Sequence, residues 1–259
     1  MALMELGEYP FSEKYGWTQD RYGLSWQVMF MGDRKIIQKI TPTLMFVGKQ
    51  CGKAEEAINF YASVFHSARV GDIARYGKGQ EPDKEGTVAH AAFTLEGQEF
   101  AAMDSAHEHP FTFNEAISFM VHCETQADID YYWKKLSADP KAQQCGWLKD
   151  RYSLSLQIVP TAMDEMLRDK DEKKLARVTE AFLKMKKLDI DALRRAYEGK
   201  PYDKDKIQTR YEDIGSFPNT VQAVLQKLPQ TIRNAAPGAN GKVSDQIPPL
   251  HYMATWCGP

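Results

Sequence analysis

The sequence lacks several features that would place it in a specialised class of protein. Only four of its 259 residues are cysteines (Cys51, Cys123, Cys145 and Cys257), and no two of them form a C-x-x-C pair. This spacing argues against a zinc knuckle, a redox couple and a disulfide scaffold. No apolar run approaches the roughly 20 residues that span a bilayer, and the N-terminus has neither the basic start nor the apolar stretch of a leader peptide. We therefore expect a cytoplasmic protein with buried or idle thiols and no membrane partner.

The chain also lacks a surplus of positive charge. Its 33 lysines and arginines are balanced by 35 aspartates and glutamates, which leaves a net charge of -2. A nucleic-acid-binding protein of this composition would need a local basic patch. The nearest candidate, Lys184, Lys186 and Lys187, alternates with apolar residues, as the solvated face of a helix does. We expect no nucleic-acid partner.

What the sequence does contain is an internal repeat. Tyr15–Val28 (YGWTQDRYGLSWQV) aligns with Cys145–Ile158 (CGWLKDRYSLSLQI) at an offset of 130, with eight of 14 positions identical. In each copy a polar turn leads into a strand in which apolar and polar residues alternate. One face of each strand should therefore pack against the protein, while the other presents hydroxyl and amide groups.

Hydrophobic periodicity predicts two units, each with a strand, a helix and further strands. The first unit has a strand at 40–47, a helix at 53–65, and strands at 69–76, 87–95 and 98–104. The second has a strand at 116–123, a helix at 126–136 and the second copy of the repeat. Thr125 and Asp128 occupy the two positions of a capping box in front of the second helix. Helices at 171–187 and 190–198, a polar linker from Gly199 and a short helix at 220–235 complete the pattern.

Seven motifs in this order resemble the PhnB-like family of the vicinal oxygen chelate superfamily, which includes glyoxalases, dioxygenases and bleomycin-resistance proteins. They include ITPTLMFVG, AEEAINFYASVF, FTFNEAISFMVHCETQADIDYYWKKL and CGWLKDRYSLSLQIVPTAMDEML, and they run from about Lys39 to Gly199. The resemblance implies an α+β fold in which paired βαβββ modules form a U-shaped cleft, followed by C-terminal helices.

The resemblance also implies a division into domains. Residues 1–35 resemble the closing hairpin of a preceding unit, 36–199 form a complete unit, 200–216 form a linker, and 217–259 are more weakly similar to the start of a YdhG-like domain. We expect both end segments to be truncated and the last to be partly disordered, so a fragment with one competent unit is one interpretation. An isolated hairpin is marginal in water. The N-terminal hairpin should therefore expose an apolar edge and favour a homodimer.

Metal-dependent members of the superfamily place His, Glu or Gln ligands at set strand positions. Carried over residue by residue, these positions are Thr41, Ala102 or Met103, Ala116 and Gln157. Only Gln157 could coordinate a metal, whereas a catalytic centre needs several protein ligands. The His107-Glu108-His109 segment is better interpreted as a solvated loop. We expect no metal cofactor, with Gln157 as a weak candidate ligand and a divalent metal as the alternative.

Strand alternation predicts which side chains line the cleft. If the polar side chains of the second repeat face inward, neighbouring strands present further side chains to the same space. The predicted ligand-binding residues are His90, Ser118, Met120, His122, Ser155 and Gln157. They could hydrogen-bond a small oxygenated ligand, although half-buried strand residues with local partners are the alternative. Trp17 and Trp147 are predicted to pack the hairpins rather than stack on a ligand.

Two functions follow from this pattern. The first is a metal-free module that binds a small molecule, which the missing metal ligands favour. The second is a metal-dependent enzyme of the glyoxalase or dioxygenase type, a lyase or an oxidoreductase, whose catalytic residues the sequence does not identify. Members of the family are often labelled 3-demethylubiquinone 3-methyltransferases. The chain has no glycine-rich strand-to-helix turn that would seat an adenosyl cofactor, so we do not expect this activity.

Overall fold

A computed structural model describes residues 1–201. The predicted linker from residue 202 onward and the predicted YdhG-like segment at 217–259, with its helix at 220–235, lie outside the described residues. The chain divides into two compact units. One combines Met1–Phe46 with Gly52–Ser105, and the other combines Val47–Cys51 with the chain from Ala106 onward. The predicted α+β class is confirmed by the order of helices and strands within these units.

The first unit begins with a three-stranded antiparallel sheet. Its strands are β1 (Ala2–Tyr9), β2 (Ser12–Gln19) and β3 (Ser25–Met29), in the order β1-β2-β3. The first copy of the repeat forms the β2–β3 hairpin, as alternation predicted. Strand β1, which the sequence analysis did not predict, pairs with β2 through several register shifts.

The rest of the first unit is the predicted βαβββ arrangement. It consists of β4 (Thr43–Val47), α1 (Ala54–Val64), β5 (Ala68–Arg75), β6 (Val88–Leu95) and β7 (Gln98–Ser105), with sheet order β4-β7-β6-β5. Helix α1 buries residues at helical spacing against this sheet: Ala54, Ala57, Ile58, Tyr61 and Val64. The buried Asp104 carboxylate accepts hydrogen bonds from the backbone of Gly52, Ala54 and Val88, which ties the start of α1 to β6.

Backbone and amide contacts fasten the segment between β3 and β4 to β7. Gln38 donates to the carbonyl of Glu99 at 2.9 Å and accepts from its backbone N–H at 3.0 Å. The amide of Ala101 donates to the carbonyl of Pro42 at 2.9 Å. These contacts place the segment between β3 and β4 beside β7.

The second unit contains a three-stranded sheet and a helix. Its elements are β8 (Ser118–Cys123), α2 (Gln126–Leu136), β9 (Trp147–Lys149) and β10 (Ser155–Pro160), with β10 central, parallel to β8 and antiparallel to β9. The predicted capping box is confirmed, because Thr125 accepts from the Asp128 amide and Asp128 accepts from the Thr125 amide. Strand β8 begins two residues later than predicted.

Three helices follow β10. They are α3 (Ala162–Arg168), α4 (Glu172–Leu183) and α5 (Ile190–Glu198). The helix predicted at 190–198 is confirmed as α5, with Asp189 as its N-cap. The helix predicted at 171–187 is confirmed as α4 but ends at Leu183. Helix α3 was not predicted. The helices share a core with the end of β10: Val159, Met163, Val178, Phe182, Met185, Leu188 and Leu193. Among the described residues, none of the helices is long and apolar enough to cross a membrane.

Candidate functional site

A turn closed by an aspartate positions the candidate site. The Asp150 side chain accepts hydrogen bonds from the amides of Tyr152 at 2.8 Å and Leu154 at 2.9 Å. Asp150 is buried, so the turn is held from inside the protein. It reverses the chain between β9 and β10 and thereby fixes which face of β10 receives Ser155 and Gln157.

The register of the sheet places a set of polar side chains on one face. Ser155 lies opposite Ser118 and Lys149, and Gln157 lies opposite Met120 and Trp147. Residues directly opposite each other in a sheet share a face. Five of the predicted ligand-binding residues therefore lie on this face, which we call the Gln157 face: Ser118, Met120, His122, Ser155 and Gln157.

The opposite face of β10 is the structural core of the unit. Leu154, Leu156 and Ile158 are buried there, and α2 contacts β8, β9 and β10. Trp147 and Val159 point to the Gln157 side and belong to the core shared with α3–α5. The predicted packing role of Trp147 is thus supported, and the C-terminal helices border the Gln157 face at its Val159 end.

Three buried polar atoms on the Gln157 face have no hydrogen-bond partner within the described chain. They are Ser155 Oγ, Gln157 Oε1 and Trp147 Nε1, in residues that are only 1%, 2% and 5% exposed. The amide nitrogen of Gln157 does have a partner, since Nε2 donates a hydrogen bond to Ser118 Oγ at 2.8 Å. An unsatisfied buried polar group costs about 1–3 kcal/mol, and such groups are rare in native proteins. Three of them on adjoining residues indicate a place where a small molecule or water completes the hydrogen bonding.

The first copy of the repeat shows why Gln157 Oε1 has no hydrogen-bond donor within the described chain. At the equivalent position Gln27 Oε1 accepts a hydrogen bond from the Tyr15 hydroxyl at 2.9 Å. The residue equivalent to Tyr15 in the second copy is Cys145, whose thiol contacts the carbonyl of Leu183 at 3.8 Å. The replacement of a tyrosine by a cysteine therefore frees the acceptor. This difference was visible in the aligned repeat, and the sequence analysis missed its meaning.

The charges beside the site cancel. Lys149, opposite Ser155, forms an ion pair with Glu115, and both side chains are partly exposed. The hydrogen bond from Lys149 lowers the pKa of Glu115 below its usual value. Because the pair is neutral as a whole, the Gln157 face presents hydrogen-bonding groups without net charge.

The two predicted histidines differ in position: His122 lies on the Gln157 face at its Val159 end, and His90 lies in the other unit. His122 is exposed near the end of β8, opposite Val159 and beyond Met120. His90 lies on β6 of the other unit and alternates with the buried Ala91 and Phe93. Partial desolvation lowers the pKa of His90, which favours a neutral imidazole. A ligand-binding role for either histidine stays a prediction.

The donor set does not fit a divalent metal. Of the implied ligand positions, Ala102 and Ala116 have no side-chain donor, and the free carbonyl of Gln157 is a single neutral oxygen. No group of three or more His, Cys, Asp or Glu side chains comes together in the part of the chain that the structure describes. These residues cannot supply the several ligands of a catalytic metal centre.

Comparisons with known proteins found a matching protein family and similar solved structures. The protein family described as 3-demethylubiquinone-9 3-methyltransferase matches residues 38–159. A PhnB protein from Bacillus cereus is 45% identical over 48% of this chain and 100% of its own, with a TM-score of 0.41. The fosfomycin resistance protein FosX from Mesorhizobium loti is 14% identical over 52% of this chain and 100% of its own, with a TM-score of 0.34. No curated protein matches the chain.

The match to the Bacillus protein covers the whole of that relative at a level of identity that defines family membership. The chain therefore belongs to the PhnB-like family, within the vicinal oxygen chelate superfamily.

Proposed function

We propose that this PhnB-like chain is a metal-free protein that binds a small neutral molecule on the Gln157 face. The observation that carries the proposal is the set of three orphaned polar atoms, Ser155 Oγ, Gln157 Oε1 and Trp147 Nε1. Together they offer a hydroxyl, a carbonyl acceptor and an indole donor. Burial strengthens hydrogen bonds made to such groups, because water does not compete for them.

The chemistry of these groups defines the ligand. A molecule that both donates to Gln157 Oε1 and accepts from Trp147 Nε1 matches the site, as an amide or a hydroxylated carbonyl compound does. Met120, opposite Gln157, adds an adaptable apolar contact. The ion pair of Lys149 with Glu115 leaves no free charge for an ionised ligand to meet, so a neutral compound is favoured.

The family description suggests a methyltransferase, and the superfamily suggests a metal-dependent glyoxalase or dioxygenase. A metal enzyme would need ligands beyond Gln157, and the residues at the implied positions do not supply them. A methyltransferase that uses an adenosyl cofactor needs a phosphate- or ribose-binding turn at the edge of a parallel sheet. Among the described strands, β1–β2, β2–β3, β5–β6, β6–β7 and β9–β10 pair antiparallel, and β8 pairs parallel with β10. Binding is therefore the function that we favour.

A ligand screen with matched glutamine variants tests the proposal. Small neutral amides and hydroxy ketones would be screened by thermal shift against the wild-type chain, Gln157→Leu and Gln27→Leu. The Gln27→Leu control removes the equivalent amide of the first repeat, whose carbonyl already has the Tyr15 hydroxyl as its partner. We expect hits that stabilise wild type and Gln27→Leu, by about 2.7 kcal/mol at 100 times the Kd, and have no effect on Gln157→Leu.

Three results would count against the proposal. Hits that stabilise Gln157→Leu as strongly as wild type would place the binding site elsewhere. Stoichiometric bound metal in the purified protein, with stabilisation by Zn²⁺, Ni²⁺, Mn²⁺ or Mg²⁺ that Gln157→Ala abolishes, would favour the metal-dependent enzyme instead. A screen without hits, together with ordered water on all three atoms in a crystal structure, would mean that water alone completes the site.

A further inference from the structure

The indole of the binding site follows an unusual stretch of backbone. Cys145 and Gly146, directly before Trp147, both have left-handed backbone, with φ values of +50° and +84°. A residue with a Cβ adopts this conformation only where its surroundings hold it there. In the first copy of the repeat the equivalent residues, Tyr15 and Gly16, lie inside β2, and neither has a positive φ. The second copy therefore bends where the first is extended, immediately ahead of the indole.

The segment between α4 and α5, residues 184–189, holds this bend through the backbone. We call this segment the α4–α5 connection. The amide of Cys145 donates to the carbonyl of Met185 at 2.7 Å, and the amide of Gly146 donates to the carbonyl of Lys186 at 2.8 Å. Both left-handed residues are thus bonded to the connection, which satisfies amides that would otherwise be buried without a partner.

Side chains of the connection pack on the same bend. Leu188 lies against Gly146, where an added Cβ would be 3.1 Å from the nearest Leu188 methyl group. Four side chains of the bend and the connection belong to one buried cluster: Cys145, Trp147, Met185 and Leu188. A closely packed interior transmits small displacements, so a shift of the connection would be felt at the indole.

Gln126, the first residue of α2, fastens the connection to the rest of the unit. Its Nε2 donates to the carbonyl of Leu188 at 3.2 Å, and its Oε1 accepts from the amide of Ile190 at 2.9 Å. One turn further along α2, Asp130 forms an ion pair with Lys187. Gln126 is half-buried, so water replaces its two backbone bonds less readily than it would at the surface. The position of the connection therefore depends on this one amide more than on the exposed ion pair.

We infer that Gln126 is a positioning residue for the Gln157 face: it holds the α4–α5 connection, which sets the bend and thereby the place of Trp147 Nε1. The inference rests on the proposed function, because Trp147 Nε1 is one of the three buried groups proposed to meet the ligand. An indole has a single N–H donor with a fixed direction, so a rotated ring loses its hydrogen bond.

Gln126→Leu tests the inference, because it removes both backbone bonds and keeps an apolar side chain of similar size. The matched control is Gln38→Leu in the other unit, where the same kind of amide bonds the carbonyl and the N–H of Glu99 at 2.9 and 3.0 Å. The readout is the ¹H–¹⁵N indole resonance of Trp147, assigned by its absence in Trp147→Phe, with circular dichroism to confirm folding. We expect Gln126→Leu to shift or broaden this resonance and Gln38→Leu to leave it unchanged.

Binding of glycolamide, a small neutral hydroxylated amide, provides the second readout. Its affinity should fall by about tenfold in Gln126→Leu, the equivalent of one lost hydrogen bond, and should be the same in Gln38→Leu as in wild type. Lys187→Met is a milder variant of the same connection, which decides the test if Gln126→Leu does not fold. It removes only the ion pair with Asp130, so a smaller shift of the same resonance and an affinity loss of about two- to threefold are expected.

Two results would overturn the inference. One is a folded Gln126→Leu chain whose Trp147 resonance is unchanged, and the other is a shifted resonance with unchanged affinity for glycolamide. Failure of the proposed function has a different signature, since wild type would then not bind glycolamide at all. In that case the Trp147 resonance alone decides whether Gln126 sets the place of the indole.

Discussion

The two copies of the repeat form the same hairpin in opposite surroundings. In both copies an aspartate, Asp20 or Asp150, accepts hydrogen bonds from the amides two and four residues later. Both copies then continue into a strand of alternating residues. Yet Val28 is 57% exposed, whereas the equivalent Ile158 is fully buried. The local sequence therefore specifies the hairpin, and the elements packed against it decide whether its apolar face contributes to a core.

The same comparison separates a structural glutamine from a candidate binding residue. Gln27 is exposed and its carbonyl is bonded to Tyr15, while Gln157 is buried and its carbonyl has no partner among the described residues. Two copies with nearly the same hairpin sequence thus place the same amide in different chemical environments. This contrast can be tested by making matched substitutions in both copies.

The largest effect is expected from removal of the buried methyl groups of β10. Ile158→Ala should lower the free energy of unfolding by about 2–5 kcal/mol, because it leaves a cavity against α2. Val28→Ala should change it by no more than about 0.5 kcal/mol, since the side chain is mostly in water. Urea denaturation at a protein concentration that keeps the chain monomeric measures both. Equal effects would show that the first copy is buried in solution, and Ile158→Val, at about 0.5–1.5 kcal/mol, provides the graded control.

Substitution of the equivalent glycines should give the next largest contrast. Gly146 has a φ of +84°, and a Cβ there would lie 2.8 Å from the carbonyl oxygen of Ile158 and 3.1 Å from a methyl group of Leu188. We expect Gly146→Ala to destabilise the protein by about 2–3 kcal/mol, from backbone strain and overlap together. At Gly16 the nearest atom, in Leu6, is 3.3 Å away and φ is not in the left-handed region. Gly16→Ala should therefore lower the free energy of unfolding by less than about 1 kcal/mol. Thermal unfolding of both variants measures the difference, and a larger loss for Gly16→Ala would contradict the comparison.

Replacement of the turn aspartates by alanine should give a smaller difference in stability between the two copies. Asp150→Ala should cost about 1–3 kcal/mol, because it leaves buried amides of Tyr152 and Leu154 without an acceptor. Asp20→Ala should cost less than about 1 kcal/mol, since water reaches the exposed first turn and replaces the lost acceptor. Chemical denaturation of the two variants measures the difference. Asp150→Asn, which keeps an oxygen acceptor, should recover most of the loss, and failure to do so would indicate that the charge matters more than the hydrogen bonds.

The smallest effect concerns pH and is confined to the second copy. Lys149 pairs with Glu115, whereas the equivalent residue of the first copy is the uncharged Gln19. The pKa of Glu115 is lowered from 4.5 by this pair, so its contribution to stability is present above that pH and is lost as the pH falls through the lowered value. Glu115→Gln should therefore lower stability near neutral pH by at most about 1 kcal/mol, and this effect should disappear as the pH falls through the lowered pKa of Glu115. A stability difference that persists in acid would rule out the ion pair as its cause.

Much of the fold could be predicted because its signals are local. The capping box of α2, the Asp189 cap of α5 and the apolar spacing of α1 each depend on residues within two turns of one another. Alternation also placed Ser155 and Gln157 on one face of a strand. Strand β1 and helix α3 were missed, since β1 has an irregular register and α3 is only seven residues long.

The candidate site could be predicted only in part. Ser118, Met120, Ser155 and Gln157 were placed on a common face by alternation, and the register of β8 with β10 brings them together. Whether Gln157 Oε1 has a hydrogen-bond partner depends on its neighbours Ser118, Trp147 and Cys145. These residues come from separate parts of the sequence and meet only in the folded chain. The pairing of Lys149 with Glu115 likewise joins residues far apart in sequence. Sequence periodicity reports which way a side chain points, but not which groups remain unpaired when the chain has folded.

The sequence by itself determined the family, the repeated hairpin and the boundaries of most helices, because turns, caps and alternation act over a few residues. Only the tertiary structure decided that one hairpin lies in a core and the other on the surface. Burial of a strand face requires a second layer, and for β10 that layer comes from α2 and α3–α5. The first copy has the same pattern without such a layer among the described elements, which is why its strand β3 is left with an exposed apolar face and an open edge.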